Sequence, residues 1–312
     1  MTEFGFIESI KRAFEAIPSH GFEGIGDDCA VLPLNDGTAL VFTTDLLVEG
    51  VHFLRTAASA AEIGAKSLTV NLSDVAAMGA SPAASMLSIA LTDETVGSWA
   101  DEFMEGYRGL SERFSVPLIG GDTSKSKSGV TINITAVGRA PLQNIKRRSA
   151  ARNGDVIMVG GELGASAEGL KDILNGQFET ENAYIHKNTL PQTEEGAWLG
   201  GREEVHAMMD ISDGLASDLG HILKASAAGA VIDIERIPAV SDIRTAVCGG
   251  EDYKLLFTVA AERAELLADD FFKKFGYAPF VIGRITDSEN HVVEWREKGE
   301  QIIPDWSGFS HF

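Results

Sequence analysis

The sequence predicts an α+β protein of two domains, and three observations lead there. Strand-like and helix-period segments alternate along the chain, and many of the strand runs alternate apolar and polar residues as antiparallel strands do. The length of 312 residues suits two domains. One basic, turn-rich stretch, 146–153, interrupts the pattern, and strand and helix signals restart after it. Residues 1–140 are therefore expected as the N-terminal domain and 141–312 as the C-terminal one.

Each element has its own signal. Residues 5–16 place Phe6, Ile7, Ile10 and Phe14, with Ile17 beyond, at helical spacing. The glycine-rich turn "GFEGIGDDCAVLPL" follows, then the strand "TALVFTTDLLV". Ser59 with Glu62 three residues on is a capping box, and a helix runs from there to Met78, stopped by Gly79. That helix is mostly apolar, yet Ser67, Asn71 and Asp74 share one face, as a polar strip lining something would. "ASMLSIAL" reads as a strand, "SWADEFMEGYRGLSERF" as an amphipathic helix, and "VPLIGGDTS" as a short strand ending in glycines and Asp122. "GVTINITAVGRA" alternates as a strand. In the second half "GDVIMVGG" is a strand and "ASAEGLKDIL" a helix, while 176–204 are polar and weakly patterned. "AMMDIS" leads into a helix from Asp213 to about Ser226. "GAVIDIERI", "CGGEDYKLLFTV" and "APFVIGRI" supply further strands.

Composition narrows the function. The net charge of -20 argues against a nucleic-acid binder, because phosphate backbones are held by Lys and Arg. It leaves an anionic substrate open, since bound cations reverse the local sign. No apolar run approaches the length of a membrane span, and the charged N-terminus is not a signal peptide. Cys29 and Cys248 read as free thiols of a cytoplasmic protein.

Five acidic turns carry the chemistry. They are "GIGDDC" (Asp27, Asp28), "FTTD" (Asp45), "NLSD" (Asp74), "GGDTS" (Asp122) and "DISDG" (Asp210, Asp213). Any one alone reads as a cap or a turn. Five of them, with threonine hydroxyls beside them, form a set of hard oxygen ligands suited to Mg2+. Converging carboxylates repel, by about 4 kcal/mol per pair at 4 Å and an effective dielectric near 20. Divalent cations would remove that cost. Lys146, Arg147, Arg148 and Arg152 form a positive island, either a solvated linker or an arm that binds a nucleotide phosphate. There is no GxxxxGK[ST] loop, no GxSxG elbow and no zinc spacing, and "VGGELGAS" lacks the full dinucleotide pattern.

Taken together and in order, the motifs resemble those of the thiamine-monophosphate kinases. The carriers are "GIGDDCAVL", "TTDLLVEGVHF", "GAKSLTVNLSDVAAMGA", "LIGGDTS", "GDVIMVGGELGASAEGL", "MMDISDGLASDL", "GGEDYKLLF" and the terminal "WSGFSHF", so the resemblance spans nearly the whole chain. It implies the two-domain fold of the aminoimidazole-ribonucleotide-synthetase (PurM-like) superfamily. There, an N-terminal α+β domain binds ATP and Mg2+ and dimerises through its sheet, beside a C-terminal α+β domain. It implies transfer of phosphate from ATP to thiamine monophosphate, with several Mg2+ ions per site, in a cytoplasmic homodimer. By resemblance, Asp28, Thr43, Thr44, Asp45, Asp74, Asp122, Asp210 and Asp213 correspond to Mg2+ ligands. Tyr107, Gly121, Asp122, Arg148 and Ser212 correspond to ATP contacts. His52, Glu251 and Phe309, with Trp306 nearby, correspond to the thiamine monophosphate site, where an aromatic ring and a carboxylate suit a cationic thiazolium.

The chain departs from the family pattern at Ser124 and Lys125, where Thr-Arg is usual, in the shortened segment around Pro191, and at Phe309, where a tyrosine is usual. No general base and no covalent nucleophile are expected. A sister ATP-using enzyme is the nearest rival, although no cysteine precedes Cys29 as selenophosphate synthesis would need. A non-catalytic MgATP-binding module is the other.

Overall fold

The computed structural model describes residues 3–288 and 291–309; residues 310–312 of the terminal "WSGFSHF" motif lie outside them. The N-terminal half runs α1 (Glu3–Phe14), β1 (Ala30–Pro33), β2 (Thr38–Val48), α2 (Ala60–Ala77), β3 (Ser81–Leu91), α3 (Ser98–Phe114), β4 (Leu118–Lys125) and β5 (Thr131–Pro141). Its sheet has the order β1-β2-β5-β3-β4. Only the β3–β4 pair is parallel. The C-terminal half runs β6 (Val156–Val159), α4 (Ala165–Leu174), α5 (Glu181–Lys187), α6 (Thr193–Gly200), β7 (Val205–Asp210), α7 (Leu215–Ser226), β8 (Gly229–Asp233), α8 (Ile243–Cys248), β9 (Leu255–Val259), α9 (Ala264–Phe275), β10 (Phe280–Thr286), β11 (Val293–Glu297) and β12 (Glu300–Ile302). Its sheet has the order β12-β11-β8-β10-β6-β9-β7, antiparallel except for β11–β8. Antiparallel pairing with helices packed on the sheets is the α+β arrangement expected from the strand patterns.

Helix α2 is the hinge of the architecture. Ser59 caps it in a complete capping box with Glu62, and Gly79, at φ +72°, ends it. Leu68, Leu72 and Val75 pack into the N-terminal core with Val41, Ile132, Ile134 and Phe103. Its last turn does something different. Ala76 and Ala77 join a second core with Met158, Met208, Phe257 and Phe271 of the C-terminal sheet and α9. A helix flanked by two domains must be apolar almost all round, which is why its sequence looks like a core helix rather than an amphipathic one.

The stretch 146–153 is less a linker than a seam. The Lys146 N–H donates to Met78 O, and its buried ammonium donates to Arg202 O and Val205 O at 2.8 Å each. Burial pulls its pKa down to about 8. Arg147 pairs with Glu23 at 2.7 Å, and Arg148 turns inward to Asp28. The positive island of the sequence is thus dispersed to separate partners.

Three sequence expectations need correction. Residues 176–204 hold α5 and α6, whose short amphipathic turns are too brief to show a period. Strand β4 continues past the glycines and Asp122 to Lys125. Helix α7 starts at Leu215, so Asp213 precedes it. Among the described residues no helix is long and apolar enough to cross a membrane.

Candidate active site

Four carboxylates from both domains meet where α2 passes between the sheets. Strand β2 alternates, with Val41 and Thr43 buried and Thr44 exposed, so Thr43 and Asp45 point toward α2 and Thr44 points to the outer face. Asp74 lies on α2, Asp210 is the last residue of β7, and Asp28 leads into β1. One carboxylate oxygen each from Asp28, Asp74 and Asp210 lie within 4.8 Å of one another. Asp45 feels the Asp28 charge directly. The Thr43 hydroxyl donates to Asp74, and the Ser73 hydroxyl reaches across the domain junction to donate to Asp210.

This concentration of charge is unfavourable on its own. Burial, then the charge of Asp28, pushes the Asp45 pKa up to about 6. The same two causes push Asp210 up to about 7, against the opposing pull of Ser73 and Arg148. Burial followed by Asp45, Asp210 and Asp28 drives Asp74 well above its ordinary value. Among the described residues Arg148 faces them, donating from Nη2 to Asp28 Oδ1 at 2.6 Å and from Nε to Oδ2 at 3.3 Å. A single guanidinium cannot balance four carboxylates.

The donor chemistry fits a divalent cation. The ligands available are carboxylate and hydroxyl oxygens, hard donors of the kind Mg2+ takes. Asp45 Oδ2 is buried without a hydrogen-bond partner, an arrangement that costs free energy unless something coordinates it. The one soft atom beside the cluster, the buried Cys29 thiol, is held protonated by burial and then by the charges of Asp74, Asp28 and Asp210.

Two loops and the C-terminal segment are tied together by backbone hydrogen bonds. In "DISDG", Ser212 O accepts the Glu251 N–H at 2.7 Å, and Asp213 O accepts the Phe309 N–H at 2.9 Å. Gly250 has to be glycine, because a Cβ there would sit 2.4 Å from Ser212 O. His52 accepts the Val48 N–H on Nδ1 at 3.0 Å. The Phe309 side chain is half exposed. Trp306 packs edge-on against Trp295 at 4.8 Å between ring centroids.

Several of the expected site residues lie elsewhere in this chain. Thr44 faces away from the cluster and bonds to Ile134 O, with Asn133 and Thr135 donating to it. Asp122 sits on exposed strand β4, separated from β2 by β5 and β3. Gly121, at φ +152°, is required by the sheet itself, since a Cβ would fall 1.7 Å from Leu87 O. Tyr107 is buried on α3 and donates to Ser85 Oγ at 2.8 Å. Of the polar strip on α2, Ser67 and Asn71 bond back to their own helix, and Asp74 alone reaches the carboxylates.

The sequence reading missed Ser73, Asp218, Lys66 and His186. Asp218 is buried and accepts the N–H groups of Asp213 and Gly214 at 3.1 and 3.0 Å, which fixes the acidic loop where Gly214 offers no capping side chain. Its signal was present, as an acid in the first turn of a helix that begins with glycine. Lys66 also signalled itself, as a lone cation inside an apolar helix. Ser73 and His186 carried no signal that the sequence alone could separate from ordinary polar residues.

Comparisons with known proteins identify the family. The family "AIR synthase related protein, N-terminal domain" matches residues 26–140, and "AIR synthase related protein, C-terminal domain" matches 152–296. The thiamine-monophosphate kinases of Salmonella typhimurium and Escherichia coli K12 are each 37% identical, over 99% of this chain and 98% of theirs. That of Bacillus subtilis is 32% identical over the full length of both. The structure of AaThiL complexed with AMPPCP and TMP superposes with a TM-score of 0.85 at 31% identity, covering 100% of this chain and 97% of that one. Thiamine monophosphate kinase from Aquifex aeolicus superposes with a TM-score of 0.79 at 30% identity, covering 96% and 98%. The hydrogenase maturation protein HypE shares the fold at 18% identity and a TM-score of 0.73, over 92% and 95%. This chain therefore belongs to the AIR synthase related family and, within it, to the thiamine-monophosphate kinases.

Proposed function

We propose that the protein transfers the γ-phosphoryl group of ATP directly to the phosphate of thiamine monophosphate, giving ADP and thiamine diphosphate. The observation that carries this reading is the buried set Asp28, Asp45, Asp74 and Asp210, drawn from both domains, with an orphaned Asp45 oxygen and Arg148 beside it. Asp28, Asp45, Asp74 and Asp210, with Thr43 and the neighbouring Asp213, would hold Mg2+. When bound, the metal supplies neutralising charge for the donor and acceptor phosphates.

The residues of the chain do the rest. The acceptor phosphate has a second pKa near 6 and is ionised at neutral pH. It needs no general base, and no side chain is assigned that role or that of covalent nucleophile. Arg148 would exchange its bidentate grip on Asp28 for a phosphate, which has matching geometry. Ser212 is assigned to ATP with it. Glu251, His52 and Phe309 line the place where the "DISDG" and "GGEDY" loops meet the C-terminal segment, and are assigned to the cationic acceptor.

Two further assignments belong to this reading. Residues 1–140 and 141–312 are taken as the domains, and the protein is taken as a homodimer. The outer face of the N-terminal sheet supports the dimer. It carries exposed Leu46 and Met86, beside an edge strand β4 exposed along its whole length. Thr44 and Asp122 share that face by register, so pairing would bring them to the interface. Sedimentation at about twice the 33.3 kDa chain mass is expected; a monomer at micromolar concentration would remove the dimer from the account.

Product chromatography tests the reaction. Incubation with MgATP and thiamine monophosphate should give ADP and thiamine diphosphate one to one, with neither formed in EDTA. ADP without thiamine diphosphate would mean a different acceptor.

A further inference from the structure

Around Glu251 lies a second buried polar group, whose lysine and histidine none of the roles above uses. Lys66, on α2, is 6% exposed. Its ammonium donates to Glu251 Oε2 at 3.1 Å and to His186 Nε2 at 3.3 Å. His186, on α5, has Nδ1 2.9 Å from Ser166 Oγ of α4 and 3.5 Å from Glu251 Oε2. Burial, then the Lys66 charge, pulls the His186 pKa down to about 4. The ring is therefore neutral, with Nε2 accepting from Lys66 and Nδ1–H directed at Ser166, the tautomer this network requires. Two helices, one from each domain, thus converge on one carboxylate, and a third holds the histidine in place.

That carboxylate is held in an uncommon backbone. Glu251 has φ +64° and Tyr253 has φ +49°, conformations a side chain rarely adopts without compensating contacts. The compensation is visible. Glu251 N–H bonds to Ser212 O, Asp252 accepts from the Gly164 and Ser166 N–H groups at 2.8 and 3.3 Å, and the Tyr253 N–H bonds to Ile211 O at 2.8 Å. Burial would raise the Glu251 pKa, but the charge and hydrogen bond of Lys66 outweigh it and hold the carboxyl below its ordinary range. The side chain remains 28% exposed, so the carboxylate also has an open side.

We infer that Lys66 is a positioning residue for the acceptor site: anchored by His186, it grips one oxygen of Glu251 and presents the ionised carboxylate in a fixed direction to a cationic, amino-bearing acceptor. This rests on the assignment of Glu251 to the acceptor made above. An untethered glutamate would lose rotamer freedom on each binding event. A tethered one has already lost it, and the gain appears in acceptor affinity rather than in ATP affinity. The same arrangement ties acceptor recognition to domain packing, because Lys66 belongs to the N-terminal domain and Glu251 to the C-terminal one.

The test separates positioning from simple structural support. Lys66→Met should raise the KM for thiamine monophosphate about tenfold or more while the KM for ATP stays within about twofold, and Lys66→Arg should recover most of the difference. In a Glu251→Gln background the same Lys66→Met change should add less than about twofold, because the group it positions is gone. Removing one partner of a buried pair can prevent folding. His186→Ala, which leaves the lysine and removes only its anchor, should therefore shift the acceptor KM in the same direction by a smaller factor. Equal losses in both KM values, an unchanged acceptor KM in Lys66→Met or in folded His186→Ala, or the full Lys66 effect persisting without Glu251 would each overturn the inference. A wild type that makes thiamine diphosphate while these variants match it overturns this inference alone. A wild type that makes none overturns the acceptor assignment with it.

Discussion

Asp45→Asn should cut kcat by about 10^2- to 10^3-fold, the usual cost of losing one preorganised charge at a transferring group, and should at the same time stabilise the metal-free protein. The opposite signs follow from the geometry. Asp45 is one of four clustered carboxylates, and its Oδ2 has no partner. An amide of the same shape removes one negative charge and supplies a donor to its acidic neighbours. Since burial and the Asp28 charge lift the Asp45 pKa from 3.8 to about 6, the neutral side chain should gain on the order of 1–3 kcal/mol at neutral pH. Steady-state kinetics and urea unfolding in EDTA read the two effects separately. A variant that keeps near-normal turnover, or that is destabilised without metal, would remove Asp45 from the metal site. A residue kept at the expense of stability is one retained for chemistry.

Much of this site could be read from one-dimensional pattern, and the reasons for the remainder are physical. Strand β2 was readable to its ends, Thr38 and Val48, because it is rich in Val, Leu and Phe, which suit a pleated, half-buried surface. The capping box of α2 was readable because it is a local hydrogen-bond pattern. The acidic turns were readable as a group because no single cap or turn explains five of them. What escaped was set by packing between elements distant in sequence. Ser73 differs from its neighbours only in pointing at β7 across the domain junction. The role of Lys66 depends on Glu251, 185 residues away. Helices α5 and α6 are 7 and 8 residues long, too short for a clear period, and tertiary contacts rather than propensity hold them. The register that turns Thr44 and Asp122 to the outer face emerges only when four strands are aligned.

The second large effect concerns pH and metal together. Asp45 and Asp210 have folded-state pKa values of about 6 and about 7, raised from 3.8, with burial and then Asp28 as the causes. Asp74 is raised well above its ordinary value by burial and then by the charges of Asp45 and Asp210. Groups raised on folding hold more protons in the native state than in the unfolded one between those values. Their contribution is fully present below about pH 4 and is lost as pH rises through 6 to 7. This is the reverse of the usual carboxylate behaviour, and a divalent cation should cancel it. A ligand that binds only the native state at 100 times its Kd adds about 2.7 kcal/mol. Protons compete for the same oxygens, so that gain should be small in acid and large above neutrality.

The most direct test is thermal unfolding at pH 5 and pH 8, in EDTA and in saturating MgCl2, with NaCl matching the ionic strength. The predicted result is a rise in Tm of several degrees with Mg2+ at pH 8, little change at pH 5, and loss of the pH 8 gain in Asp74→Asn. An equal Mg2+ effect at both pH values, or none at either, would contradict the claim that these buried carboxylates are built to hold a divalent cation.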